Sequence, residues 1–197
     1  MQDQTLVLAS ASPRRRELLA RIGTPYLIDP ANISETPYDG ETPENYVRRM
    51  ANEKARVVLG RHPQAPVLAA DTIVIVDGVA LGKPQGRDEA RGMLQALSGR
   101  THQVISAVCL ASALDETHLC VSTEVDFMSL DAAMIDAYLT TDEPWDKAGA
   151  YGIQGTAGLF VQSIRGSYSN VVGLPLHETW RLLQQRGIAT RLDNAGL

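Results

Sequence analysis

Hydrophobic and polar positions along the chain fall into two periods that predict alternating strands and helices. Thr5–Ser10 (TLVLAS) is a short apolar run that predicts a strand. Pro13 to Gly23 follows as a helix, with Ser12 able to cap it, Pro13 suited to its first position and Gly23 able to end it. PYLIDPANI (Pro25–Ile33) predicts a second short strand, and Ser34–Tyr46 is polar and turn-rich. Thr42 and Pro43 open a long helix through Leu59, with Tyr46, Met50, Ala51, Ala55 and Val58 as its core stripe. VLAADTIVIV (Val67–Val76) is a strongly apolar strand, and Asp77-Gly78 behind it is a hairpin signal. Arg87–Gly99 predicts a helix closing at Gly99.

Two β-rich runs come next, Thr101–Ala113 and His118–Leu130, joined through Asp115-Glu116. Asp131–Thr141 predicts a helix. Asp142–Gly158, with glycines at 149, 152, 155 and 158, predicts a loop. Gly158–Ser167 predicts a strand and Leu176–Gly187 a last helix, while residues 190–197 are expected to fray. This alternation is that of an α/β protein, and the hairpins call for a mixed sheet.

Length and charge narrow the function classes. The 197 residues, 44% hydrophobic and 21% charged, suffice for one sizeable core and allow two lobes. The net charge of −5 disfavours a general nucleic-acid binder, although a local basic pocket is compatible with it. The first ten residues lack the apolar run of a signal peptide, and no stretch reaches the roughly 18 apolar residues of a membrane span. No membrane association and a cytoplasmic location are therefore expected. Cys109 and Cys120 flank the expected hairpin turn and are expected as free thiols, and no Cys/His spacing suggests zinc.

The candidate chemistry begins at Ser10-Ala11-Ser12-Pro13-Arg14-Arg15-Arg16. A helix N-terminus already carries positive charge, so acidic side chains belong there. Three arginines instead suggest that an anion binds, with hydroxyls from Ser10 and Ser12 and guanidiniums from Arg14 and Arg15 on phosphate oxygens. A capped helix with a solvated basic face is the competing reading. Asp71 lies inside the apolar strand, where a carboxylate must be paired, ligate a metal or sit at the mouth of a cleft. Successive strand residues face opposite ways, so a pocket shared by Asp71 and Thr72 would require the strand to end or bulge there.

Only three of the 18 basic side chains are lysines: Lys54, Lys83 and Lys147. That scarcity marks places where a compact ammonium is preferred to a planar fork. In the glycine-rich stretch, Gln154 offers a donor and an acceptor that complement the O4/N3–H edge of uracil or thymine. Tyr151 is a candidate for stacking on a base or for packing. Glu35, read alone, is a solvated carboxylate, and the four histidines show no triad partner.

Taken together, Ser10–Arg15, Asn52-Glu53-Lys54-Ala55, Ala70-Asp71-Thr72, Gly82-Lys83-Pro84 and Asp146–Gly155 stand in an order that resembles the Maf family of nucleoside triphosphate pyrophosphatases. Ser98–His102 and Val172–Pro175 fit the same pattern, so the resemblance spans nearly the whole chain. It implies a single domain, residues 1–197, with an elongated, two-lobed Maf/ITPase-like α/β fold, a twisted mixed sheet and a central cleft. It also implies hydrolysis of a nucleoside triphosphate to the monophosphate and pyrophosphate, a divalent metal (Mg²⁺ or Mn²⁺) and a homodimer. Arg14, Thr72 and Gln154 look like the subgroup acting on dTTP and UTP, whose substrates extend to modified pyrimidine triphosphates. The 7-methyl-GTP subgroup carries Trp, Gln and Glu at those places.

On this resemblance Asp71 takes a proton from water, Lys54 and Lys83 neutralise the leaving group, and Glu35 with Asp71 holds the metal. Ser10, Arg14 and Arg15 bind the phosphates, and Thr72 and Gln154 read the base. Lys147 is left without a role. A metal-bound carboxylate is a poorer base, which leaves three readings of Asp71 open: ligand, base or both. Rival readings are a non-enzymatic nucleotide-binding regulator of septum formation and cell division, and a nucleic-acid module built on the arginine-rich turn.

Overall fold

The structure is a computed structural model and describes residues 5–193. Its order is β1 (Leu6–Leu8), α1 (Pro13–Ile22), β2 (Tyr26–Ile28), α2 (Pro43–Arg61), β3 (Val67–Val76), β4 (Val79–Leu81) and α3 (Arg87–Leu97). Then follow β5 (Thr101–Ala111), β6 (Glu116–Phe127), α4 (Ala132–Tyr138), β7 (Val161–Arg165), α5 (Tyr168–Val172) and α6 (Leu176–Gln185). Three short 3-10 turns, Pro144–Asp146, Ala148–Ala150 and Thr156–Phe160, lie between α4 and β7.

One seven-stranded sheet runs β2-β1-β3-β5-β6-β7, with β4 paired to β3. β1 is parallel to β2 and β3, whereas β3–β4 and β6–β7 are antiparallel, so the sheet is mixed. Val76 pairs with Val79 across Asp77-Gly78, both at positive φ (51° and 76°), the twist that a two-residue hairpin requires.

By packing, the chain divides into two compact units. The first holds the residues up to Asp71, Ser106–Val121 and those from Gly173 onward; the second holds Thr72–Ile105 and Ser122–Val172. In the first unit, Leu6, Val7 and Leu8 of β1 and Val67 to Ala70 of β3 are buried, and α1 packs on α6. α2 turns Val47, Met50, Ala51, Lys54, Ala55 and Val58 inward. In the second unit, α3 and α4 bury Leu94, Leu97 and Ile135 with Val74 and Val76 of β3, and with an aromatic cluster. That cluster stacks edge-to-face around Phe127, with ring centroids 4.9 Å to His102, 4.8 Å to Tyr151 and 6.0 Å to Phe160.

The elements depart from expectation in four places. Tyr46 is only partly buried, and Val47 takes its place in the α2 stripe. The β5–β6 turn spans Ser112–Asp115, closed by Ser112 N–H to Asp115 O at 2.9 Å, because the Ser112 hydroxyl also accepts from Asp115 N–H and Leu114 N–H. The expected strand from Gly158 begins only at Val161, because Thr156–Phe160 is a 3-10 turn. The short helix α5 was not anticipated.

In the expected frayed tail, Thr190 is buried and its hydroxyl accepts from Trp180 Nε1, while Arg191 N–H donates to Ile22 O at 2.9 Å. Residues 194–197 lie outside the described residues.

Candidate active site

The first unit gathers several of the candidate side chains around Lys54. α1 begins where Ser12 Oγ accepts from Arg15 N–H and Pro13 takes the first helical position; no acidic residue occupies its first turn. Ser10 Oγ accepts from Ser12 N–H at 3.2 Å and from Arg15 Nη1 at 3.3 Å. Arg15 Nε donates to Gly173 O at 2.9 Å, which ties α1 to the start of the α6 segment. Burial lowers the Arg15 pKa; Asp71 and Glu35 act against that, and the like charge of Arg14 adds to it. The arginine pair and the two carboxylates therefore lie within electrostatic reach of one another.

Lys54 comes from the buried face of α2. Its Nζ lies 2.7 Å from Asp71 Oδ1 and 2.5 Å from Glu35 Oε1. The Lys54 and Asp71 side chains are 8% and 11% exposed, whereas Glu35 is 42% exposed, so the buried pair opens outward through Glu35. The partner that Asp71 lacks nearby in sequence is thus supplied seventeen residues earlier, by a helix. Tyr46 donates its hydroxyl to the Glu35 carbonyl at 2.9 Å. Its pKa is pushed up to about 12, first by burial and then by the charges of Asp71 and Glu35.

Arg49 is a residue that sequence reasoning missed. It grips Glu41 through Nε at 2.7 Å and Nη2 at 2.6 Å, donates to Thr36 O at 3.0 Å and lies 3.8 Å over the Tyr38 ring. The bidentate pairing raises the Arg49 pKa and holds the Glu41 pKa below its usual range. Arg49 thereby orders the polar segment that carries Glu35. Its spacing from Lys54 on α2, with Tyr46 on the same helix and Tyr38 and Glu41 in the preceding loop, was the available signal.

The remaining candidates belong to the second unit. Thr72 is partly buried on β3, which runs without interruption through Asp71 and Thr72. Lys83 is exposed just after β4, and the neighbouring Gly82 O accepts from Gly149 N–H at 3.0 Å, joining the Lys83 turn to the glycine-rich loop. Gln154 is exposed on that loop. Tyr151 is buried and its hydroxyl bonds His102 Nε2 at 2.7 Å, so it packs and does not offer a face for stacking. Lys147 Nζ donates to Glu143 O and Asp146 Oδ1, each at 2.6 Å, which gives it a structural role in the loop.

For a metal, the donor chemistry decides. Glu35 and Asp71 both bring a carboxylate oxygen to the same cationic group, and two converging carboxylates suit a hard divalent ion. Cys109, Glu116 and His118 also bring ligand atoms within 4.8 Å of one another. There, however, both Glu116 oxygens are held by Arg56, at 2.8 and 3.1 Å, and burial pushes the Cys109 thiol up to about 12. That soft, protonated set does not suit Mg²⁺ or Mn²⁺. Both cysteines are free thiols.

Comparison with known proteins adds four findings. A family model described as Maf-like protein matches residues 5–186. A dTTP/UTP pyrophosphatase of Myxococcus xanthus is 54% identical over 187 residues, covering 94% of this chain and 95% of its own length. One of Methylococcus capsulatus is 50% identical over 196 residues, covering 99% and 97%. Among solved structures, the Ham1 protein of Staphylococcus aureus matches with a TM-score of 0.56 at 13% identity, over 93% of this chain and 100% of that one, a likeness of fold.

Proposed function

The chain belongs to the Maf family, and from that premise we propose that it hydrolyses dTTP and UTP to the nucleoside monophosphate and pyrophosphate. The observation that carries the reading is the Lys54 ammonium held between Asp71 and Glu35 beside the arginines of α1. A polyanion is the ligand such a site attracts.

In this reading Ser10, Arg14 and Arg15 hold phosphate oxygens at the start of α1. The triphosphate draws Lys54 toward itself, and Asp71, no longer sharing its oxygen with the ammonium, accepts a proton from water. The water oxygen bonds to the α-phosphorus, the bond from that phosphorus to the β-phosphate oxygen breaks, and pyrophosphate leaves. Lys54 and Lys83 offset the charge that develops on it. Gln154 reads the pyrimidine edge; Thr72 is assigned there on the family resemblance alone, since β3 runs unbroken through Asp71 and Thr72 and successive strand residues face opposite ways. Glu35 and Asp71 would hold a divalent cation, Mg²⁺ or Mn²⁺, which when bound screens the phosphate charge.

Among the described residues no helix is long and apolar enough to cross a membrane. A cytoplasmic homodimer completes the proposal, on the family resemblance. Pyrophosphate release from a panel of natural and modified triphosphates tests it. Turnover of dTTP and UTP above all purine triphosphates is the expected result. Nucleotide binding without pyrophosphate release would instead make the chain a regulator.

A further inference from the structure

We propose that Glu143 is the positioning residue for Gln154, and so a determinant of base discrimination; this rests on the reading of Gln154 given above. The glycine-rich segment has little side-chain material of its own with which to hold a shape. Around Gln154 it forms two tight turns (Gly155 N–H to Gly152 O at 3.1 Å, Gly158 N–H to Gly155 O at 3.0 Å), and one carboxylate holds these turns from outside. Glu143 Oε2 accepts from Thr156 N–H at 2.7 Å, and Oε1 accepts from Ala157 N–H at 3.2 Å and from the Tyr138 hydroxyl at 3.1 Å. Those two amides open the 3-10 turn Thr156–Phe160, where backbone donors have no partner within the turn. They lie two and three residues beyond Gln154, so fixing them fixes the backbone from which Gln154 projects.

The loop is shaped to let the carboxylate in. A Cβ on Gly155 would overlap the Glu143 carboxylate, so a side chain next to Gln154 would push that carboxylate off its amides. A Cβ on Gly152 would come within 2.6 Å of Lys147 Cε. Lys147 in turn donates to the Glu143 carbonyl at 2.6 Å, holding the acid's own backbone. Tyr138 anchors the arrangement to the core of the second unit. A carboxylate satisfied by two amides and a phenol has its acceptors committed, which suits a strut and not a proton carrier.

The test compares Glu143→Gln, Glu143→Ala and Gln154→Ala. Each is assayed for kcat and KM with dTTP, UTP and dCTP, and for amide hydrogen exchange. Glu143→Ala is expected to raise KM for dTTP and UTP about tenfold, to lower kcat less, and to erode the preference for dTTP over dCTP by a similar factor. Glu143→Gln keeps one acceptor oxygen and should fall between Glu143→Ala and the parent. In both variants exchange should quicken across residues 152–158 while α3 stays protected, which separates loosening of the loop from loss of the fold. Faster loop exchange with unchanged discrimination would overturn the proposal, as would unchanged exchange. If Gln154→Ala alters discrimination and Glu143→Ala does not, only the role of Glu143 falls. If neither does, the base-reading role of Gln154 falls with it.

Discussion

Two carboxylates, Asp71 in the first unit and Glu143 in the second, are both held by hydrogen bonds, but by different kinds of partner. Asp71 is met by the ammonium of Lys54, at the end of a flexible stem shared with Glu35. Glu143 is met by backbone amides of Thr156 and Ala157, which cannot leave without unmaking the turn. A charged side-chain partner can be traded for a substrate phosphate, whereas an amide partner in a turn cannot. The contrast separates a group available for chemistry from a group that maintains shape, although both are acids in contact with donors.

The largest expected break in that comparison is Asp71→Asn. It keeps the shape and removes the base, and kcat for pyrophosphate release should fall by about 10³-fold or more, with dTTP binding by calorimetry surviving in part. Near-normal turnover would remove Asp71 from the mechanism. Lys54→Met should cost stability, on the order of 3 kcal/mol, because it leaves Asp71 buried without its ammonium. Denaturant unfolding measures this, and in an Asp71→Asn background the cost should shrink, which isolates the pair.

The second unit offers a pH test. Burial lowers the His102 pKa from 6.5 to about 4. The unfolded chain therefore binds the extra proton first as pH falls, so stability is full above about pH 6.5 and declines toward pH 4. The loss should be a few kcal/mol, and His102→Gln should remove that slope in unfolding curves collected across the range. The smallest effect is expected on specificity. Gln154→Glu should weaken the preference for uracil and thymine by about tenfold, read as the ratio of kcat/KM for dTTP and dCTP. An unchanged ratio would clear Gln154 of base reading.

Much of the first unit was legible in the chain. The Ser12-Pro13 start, the apolar run around Asp71 and the Thr42-Pro43 opening each carry a local signal, and the described elements begin there. The partners were less legible. Lys54 could be marked by the rarity of lysine, but not as the ammonium that meets both Asp71 and Glu35. Arg49 and Glu143 stood among routine charges, because what distinguishes them is the backbone and aromatic groups that reach them from distant positions. Tyr151 shows the reverse. Its loop position allowed a stacking role, and burial against His102 and Phe127 removed it.

The amino-acid order alone determined most of the succession of strands and helices, though not α5 or the 3-10 turn before β7, together with the mixed character of the sheet and the chemical types available, since periodicity, caps and hairpin turns act over a few residues. The tertiary structure alone decided which charges meet. An ion pair such as Lys54–Asp71, or a carboxylate on the amides of a remote turn, depends on where packing carries the backbone, and that is set by burial of apolar faces well apart in sequence.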